Sequence, residues 1–283
     1  MESRRIARPM LATLGVFLVL VAPRIVAGQA TEAAPDASPP DAATVAQRMK
    51  AALEPTRPST RKLALTVSAD EGEATQLVVG QARDGRAKSG RALSVMLSPP
   101  DARGMAYLVE ERSDLKPEVQ WLWIPTIRRV RKLVSVESNE AFLNTDFTYS
   151  DIGFLKRNVS DKLLGTEEHA GVRAYKLESI PEESWYLSRI ITWVATGTFL
   201  PLERDFFDPA GALYKVERYS DVTTVDGTPT PLRIRMENVQ AKTSTEMVVS
   251  ELHYDVELPP TLLDPDFLRR AASAAVWSGQ PGK

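Results

Sequence analysis

The alternation of apolar and polar residues predicts a chain built mostly from antiparallel β-strands. Leu63, Leu65 and Val67 alternate with smaller or polar residues, which is the period-two pattern of a strand with one buried face. The pattern returns at short intervals, separated by turn signals such as Asp84-Gly85 and Asp226-Gly227. In the second half we predict strands near Val172–Ser179, Ser188–Val194, Leu200–Phe207, Leu213–Ser220, Leu232–Val239 and Met247–Val256.

Helical periodicity is restricted to two short stretches. Asp41 is placed to cap a helix over Ala42 to Leu53, and Asp264-Pro265 to open a last short one. Since strands and helices do not alternate, a parallel sheet is excluded. We therefore predict a mainly β fold, with a single large antiparallel curved sheet covered by a few short helices. A barrel or open half-barrel would enclose an apolar cavity, whereas a sandwich with a fully packed interior would not.

The first thirty residues have the features of a secretory signal peptide. Arg4, Arg5 and Arg8 precede an uncharged apolar run from Met10 to Ala22, and small residues follow at Ala27, Gly28 and Ala30. We therefore predict a signal peptide over 1–30 and a disordered leader over 31–41, with a retained N-terminal anchor as the alternative. The expected location is the periplasm.

Composition narrows the classes of function. The 283 residues hold 35 basic and 37 acidic side chains, and this balance argues against a nucleic-acid binder. Cysteine is absent, so thiol chemistry is excluded. Only two histidines occur, so few residues are available for histidine-based catalysis. We expect no enzyme activity, no metal and no cofactor.

Three motifs carry a family resemblance. They read LSPPDARGMAYL from Leu97 to Leu108, WLWIPTIRRVRKL from Trp121 to Leu133, and FLNTDFTYSDI from Phe142 to Ile152. The chain resembles the outer-membrane lipoprotein-sorting proteins of the LolA-like superfamily, in the branch with the pattern LSPPDARG…WLYLP…RRVR…TDFTYEDL. The resemblance extends from Ala43 to Arg270.

The resemblance implies an open half-barrel of about eleven strands whose cavity holds acyl chains. It implies one lipid-binding domain over 42–275, followed by a tail over 276–283. The implied function is a periplasmic carrier that binds lipid or lipoprotein acyl chains and moves them towards the outer membrane. The implied partners are an inner-membrane transporter, an outer-membrane acceptor and, transiently, the membrane itself. An envelope lipid sensor or an accessory subunit of an RND-type lipid transporter is the alternative.

Residues 121–124 are apolar on both strand faces, which indicates either a strand covered on both sides or one that lines a cavity. We take the large apolar side chains of the motifs and of two later strands as cavity candidates. They are Leu97, Trp121, Trp123, Phe142, Phe147, Tyr149, Trp193 and Phe206.

Four basic residues follow Pro125 within five positions: Arg128, Arg129, Arg131 and Lys132. Such a cluster is suited to a lipid head group or an acidic partner. The alternative is a solvated strand end whose cations pair with nearby acids, for which the candidates are Glu110, Glu111, Glu137 and Glu140.

Two carboxylates, Asp146 and Asp151, could in principle act as an acid/base pair. No nearby histidine, lysine or metal-ligand set supports that chemistry. We expect them instead to cap a turn and a short helix, or to bind the arginines.

Overall fold

The computed structural model describes residues 40–69, 73–85, 90–111, 119–133, 139–153, 159–181 and 186–277. The predicted signal peptide, most of the leader and the last six residues of the tail lie outside these ranges. No helix within them has the length and hydrophobicity needed to cross a membrane.

One antiparallel sheet organises the described residues, as the alternation predicted. Its strands are β1 (Ser59–Ala69), β2 (Thr75–Asp84), β3 (Arg91–Ser98), β4 (Ala106–Glu110), β5 (Val119–Ile124), β6 (Arg129–Leu133), β7 (Val159–His169), β8 (Val172–Pro181), β9 (Arg189–Ala195), β10 (Pro201–Phe207), β11 (Leu213–Val225), β12 (Thr228–Asn238) and β13 (Thr243–Tyr254). The spatial order is β6-β5-β4-β3-β2-β1-β13-β12-β11-β10-β9-β8-β7, so β6 and β7 form the two edges. The sheet is not closed into a barrel, and its thirteen strands exceed the eleven or so that the resemblance implied.

The helices are few and short. Helix α1 (Ala42–Leu53) begins at Asp41, whose carboxylate accepts a hydrogen bond from the Thr44 amide at 2.7 Å. Helix α2 (Tyr149–Ile152) is a single turn, and 3-10 segments cover Phe142–Asn144, Pro265–Ser273 and Ala275–Trp277. Both predicted helices are therefore confirmed, the second as a 3-10 segment capped by Asp264.

The sheet curves, and each face is covered by a different part of the chain. Residues 139–153, which we call the covering segment, contact β2 through Gln81 and β11 through Lys215. Four strand spacings separate β2 from β11, a distance of roughly 19 Å along a flat sheet. Because one short segment reaches both strands, we define the face that it covers as the concave face. The opposite, outer face of β2 to β6 lies under the 3-10 segment 265–273.

Helix α1 joins the two halves of the sheet. It packs against β7 and β8 and buries Val45. At its other end, Lys50 pairs with Glu111 after β4, and Glu54 lies 3.4 Å from Arg83 of β2. The helix thereby connects two parts of the sheet that are distant in strand order.

Candidate functional site

The concave face carries the largest apolar cluster of the described residues. Because side chains alternate along each strand, every second residue of the central strands points to this face. The register pairs Leu65 with Met247 and Leu63 with Val249, so their side chains share one surface. The buried strand residues of this cluster are Leu63, Leu65, Leu77, Val79, Met96, Ile190, Phe206, Met236, Met247, Val249 and Leu252.

The covering segment packs its own apolar side chains onto that surface. Phe142, Phe147 and Ile152 are each less than 5 % exposed. The ring of Tyr149 packs edge-on against Phe142 and Tyr107, with centroids 5.2 Å apart in both pairs. Burial raises the pKa of the Tyr149 hydroxyl. The segment thus fills this part of the concave face with its own side chains.

Polar contacts at Asp146 attach the covering segment to two strands. The Thr245 hydroxyl donates to the Asp146 carboxylate at 2.8 Å and accepts from the Asp146 amide at 2.9 Å, and the Thr243 hydroxyl donates to the same carboxylate. The Lys215 ammonium donates to the Asp146 carbonyl at 2.6 Å. Asp146 is thus one polar attachment point of the segment, and the Ile152 and Gly153 carbonyls, which accept from Gln81 and Arg83, form another.

Asp151 has a local structural role, as the sequence predicted. It forms a capping box with Thr148, in which the Thr148 amide donates to the Asp151 carboxylate at 2.8 Å and the Thr148 hydroxyl accepts from the Asp151 amide at 3.2 Å. Asp146 binds the threonines of β13 rather than arginines.

Two groups of charged and polar side chains also face the concave side. The first is on β1 and β2, where Arg61 donates to the Gln81 amide oxygen at 2.8 Å and Gln81 donates to the Ile152 carbonyl at 3.0 Å. Burial and, to a smaller extent, the positive charge of the neighbouring Arg83 lower the pKa of Arg61 to about 9. Sequence reasoning missed this group because an isolated arginine in a strand gives no pattern.

The second polar group is the ion pair between Arg204 and Glu217, 3.1 Å apart and each 6 % exposed at the side chain. Burial works against the charge of Arg204, but Tyr219 and Glu217 raise its pKa overall. Burial also raises the pKa of Tyr219. The concave face is therefore apolar along its central strands, with charged groups on β1, β2, β10 and β11.

The predicted cavity residues fall into three places. Four of them, Phe142, Phe147, Tyr149 and Phe206, meet in the concave cluster. Leu97, Trp121 and Trp123 lie on the outer face under the 3-10 segment 265–273. Trp193 packs with Ala174 and Ile191 in another cluster, where its ring stacks on His169 at 4.4 Å. The apolar strand 121–124 is thus covered on both sides, because Leu122 packs with Tyr107 opposite the two tryptophans.

One cavity of the described residues lies on the outer face. It has a volume of about 480 Å³ and opens between β1 to β3 and the C-terminal 3-10 segments, with Leu97, Val78 and Trp277 among its walls. The Trp277 ring packs directly on Gly80, and a Cβ there would lie 2.6 Å from the ring. Of the predicted cavity residues, Leu97 alone lines this space.

The four predicted cations lie on one exposed hairpin at the sheet edge. Arg128 ends the turn 125–128 with a left-handed backbone (φ 50°), and Arg129, Arg131 and Lys132 follow in β6. Of the acids that could have paired with them, Glu110 binds Arg91 and Glu111 binds Lys50. Glu137 lies outside the described residues.

No metal centre emerges from the described ranges. They contain no group of three histidine, cysteine or acidic side chains positioned to hold a metal ion. Near His253, Glu251 pairs with Lys62 and Asp255 with Arg57.

Solved structures with the same fold include three bacterial proteins. A domain described as an outer membrane lipoprotein-sorting protein from Vibrio parahaemolyticus superposes with a TM-score of 0.74 and 22% identity, covering 80% of this chain and 97% of that one. A DUF1329 family protein from Desulfovibrio piger gives 0.72 and 24%, covering 80% and 95%. A LolA superfamily protein from Nitrosomonas europaea gives 0.66 and 19%, covering 81% and 100%. These likenesses establish a LolA-like fold.

No curated protein matches the chain. One family model does, over residues 88–270, and its description is "uncharacterized protein". This match includes all three motifs and most of the sheet. The chain therefore belongs to that family, and it has the LolA-like half-barrel fold.

Proposed function

We propose that the protein is a periplasmic carrier whose concave face binds the acyl chains of lipids or lipoproteins and moves them towards the outer membrane. The observation that carries the proposal is the apolar concave face, which is covered by a single short segment, residues 139–153. A LolA superfamily protein and a lipoprotein-sorting domain among the structural neighbours support it.

The proposed mechanism is passive exchange of apolar surface. When the covering segment moves away, Phe142, Phe147 and Ile152 leave the concave face, and an acyl chain takes their place. Each methylene that the chain buries contributes roughly 0.8 kcal/mol, so one chain can offset the loss of the segment's contacts. Release follows when a membrane or an acceptor offers the chain equivalent burial. The cycle breaks the hydrogen bonds of the covering segment but no covalent bond.

Lipid content and lipid uptake test the proposal together. We expect mass spectrometry of an organic extract of the purified protein to find acyl lipids, and a fluorescent fatty acid to bind saturably. The substitution Ile234→Trp adds volume to the concave cluster and should reduce uptake severalfold. Leu202→Trp, in the outer cluster around Trp193, is the matched control and should leave uptake unchanged.

Two results would contradict the carrier function. One is a protein that contains no lipid and takes up no fatty acid although it is folded. The other is equal uptake by the Ile234→Trp variant and the unaltered chain. A sensor or an accessory subunit of a lipid transporter would instead bind a specific partner protein without transferring lipid between vesicles.

A further inference from the structure

The predicted basic hairpin is part of a larger surface to which two other segments contribute. Residues 99–104, which we call the corner, lie between β3 and β4 and end at Gly104. A Cβ placed on Gly104 would lie 3.6 Å from Pro125 and 3.7 Å from Ala272. The corner, the β5–β6 turn and the 3-10 segment 265–273 therefore meet at one place. Their exposed cations form what we call the basic surface: Arg103, Arg128, Arg129, Arg131, Lys132, Arg269 and Arg270.

The charge of this surface differs from that of the whole chain. The three segments 99–104, 125–133 and 264–273 contain seven basic and three acidic residues, whereas the whole chain has a net charge of -2. Two of the three acids already accept a hydrogen bond from a backbone amide. Asp101 accepts from the Ala102 amide at 3.0 Å, and Asp264 accepts from the Asp266 amide at 2.8 Å.

Three of the four hairpin cations lack an acidic partner in the part of the chain that the structure describes. Among the described residues, no carboxylate forms an ion pair with Arg103, Arg128, Arg129 or Lys132. The guanidinium of Arg269 lies 5.8 Å from the centroid of the Trp123 ring, which directs part of the C-terminal charge over β5. Such unneutralised charge is available for an external anion.

An exposed apolar side chain lies at the tip of the same hairpin. Ile127 is 52 % exposed and precedes Arg128 and Arg129 directly. A large aliphatic side chain surrounded by cations is the arrangement with which proteins bind the boundary between lipid head groups and acyl chains.

We propose that the basic surface docks on an anionic phospholipid bilayer, with Ile127 entering the head-group region. The charges match, since each lysine or arginine near an anionic membrane contributes about 1 kcal/mol of binding. An acidic protein would also match the charge, but an isoleucine placed beside cations at the tip of a hairpin favours a bilayer, whose head-group region accepts both. This inference rests on the proposed function in one respect: docking would bring the proposed carrier to a bilayer.

Vesicle sedimentation with the full chain tests the docking. We expect binding to vesicles of phosphatidylcholine with about 30% phosphatidylglycerol, weak binding to phosphatidylcholine alone, and loss of the difference in high salt. Arg128→Gln with Arg129→Gln should weaken binding to the anionic vesicles at least about tenfold. Ile127→Ser should weaken it severalfold with the salt dependence unchanged.

Matched control variants test whether vesicle binding depends on the basic surface or only on the net charge and hydrophobicity of the chain. Arg173→Gln with Arg189→Gln removes the same charge from exposed positions on β8 and β9, and Val222→Ser removes a side chain that is 51 % exposed. Both control variants should bind the vesicles as the unaltered chain does. All variants share the same N-terminal residues, so any contribution of these residues to vesicle binding is the same in each.

The docking proposal is overturned if anionic and neutral vesicles bind equally, if the Arg128/Arg129 variant keeps its affinity, or if the control pair loses as much. Binding of an acidic protein by the basic surface without vesicle binding would also overturn it. Fatty-acid uptake without vesicles should be the same in the Arg128/Arg129 variant and the unaltered chain. Failure of docking is therefore distinguishable from failure of the carrier function.

Discussion

Asp205 and Asp208 lie three residues apart at the end of β10, and their surroundings shift the pKa of the two carboxyls in opposite directions. Burial and the neighbouring Glu203 raise the pKa of Asp205, and its Oδ1 has no hydrogen-bond partner among the described residues. A hydrogen bond from Gln240 and another from the Ala212 amide lower the pKa of Asp208.

These shifts predict pH effects of opposite sign. A carboxyl with a raised pKa costs stability once it ionises, so Asp205→Asn should raise the melting temperature at neutral pH. A carboxyl with a lowered pKa stabilises the fold when ionised, so Asp208→Asn should lower it. The effect at Asp205 should disappear as the pH falls through its raised pKa towards about 4, whereas the effect at Asp208 should disappear only below about 4, as the pH falls towards its lowered pKa. Melting curves of the three proteins across pH check this, and shifts of the same sign would contradict it.

Gly80 is required by a close contact rather than by its backbone conformation. The ring of Trp277 lies on it, and the Trp277 indole N–H donates to the Ala271 carbonyl at 2.7 Å, which fixes the ring. Gly80→Ala should therefore destabilise the fold by about 1–3 kcal/mol, as overpacked substitutions do.

Chemical unfolding measures the effect of Gly80→Ala. Gly197→Ala is the matched control because nothing lies within 4 Å of the Cβ it would add. In a chain that also carries Trp277→Ala, Gly80→Ala should cost less stability than it does in the unaltered chain. Equal stability of the Gly80→Ala variant and the unaltered chain would show that the ring does not rest on this glycine.

At the scale of elements, local sequence signals predicted most strands and both helices. The capping residue Asp41 and the apolar spacing of Val45, Met49 and Leu53 placed α1 at its observed bounds. Strand β7 was missed because it is an edge strand whose residues are mostly exposed. It has no sustained alternation, and its pairing with β8 is a tertiary contact that no local pattern reports.

The candidate site was predicted less completely, for a physical reason. Alternation shows that a strand has two different faces, but it does not show which face is concave. Trp121 and Trp123 therefore had the right chemistry for a cavity yet pack on the outer face, whereas Phe142 and Phe147 lie on the concave one. The residues of the concave face come from strands far apart in sequence, so only their register brings them together.

The covering segment is the element whose movement the proposed function requires. Asp146→Ala removes the two threonine hydrogen bonds to its carboxylate, at a cost of about 2 kcal/mol. We expect faster hydrogen exchange in residues 139–153 and faster uptake of a fluorescent fatty acid.

Glu167→Ala is the control for this prediction, because it removes two hydrogen bonds, from Trp193 and Lys176, that lie in the cluster around Trp193 rather than at the covering segment. It should leave both the exchange of residues 139–153 and the uptake rate unchanged. If Asp146→Ala loosens the segment without accelerating uptake, the segment does not control entry to the concave face.

At the scale of the whole molecule, the two faces of one sheet have different coverings and, in our proposals, different tasks. The concave face binds acyl chains under a movable segment. The hairpin at the β6 edge, with the corner 99–104 and the 3-10 segment 265–273, contacts the bilayer. Helix α1 contacts β7 and β8 and, through Glu54 and Lys50, pairs with residues at the ends of β2 and β4.

The most direct measurement is photochemical labelling with a fatty acid that carries a diazirine near its methyl end. Peptide mass spectrometry then locates the labelled residues. The account predicts labels on the concave face, in β1, β13 and residues 139–153, and competition by unlabelled fatty acid. Labels confined to the outer-face cavity near Leu97 and Trp277, or no competed label at all, would contradict it.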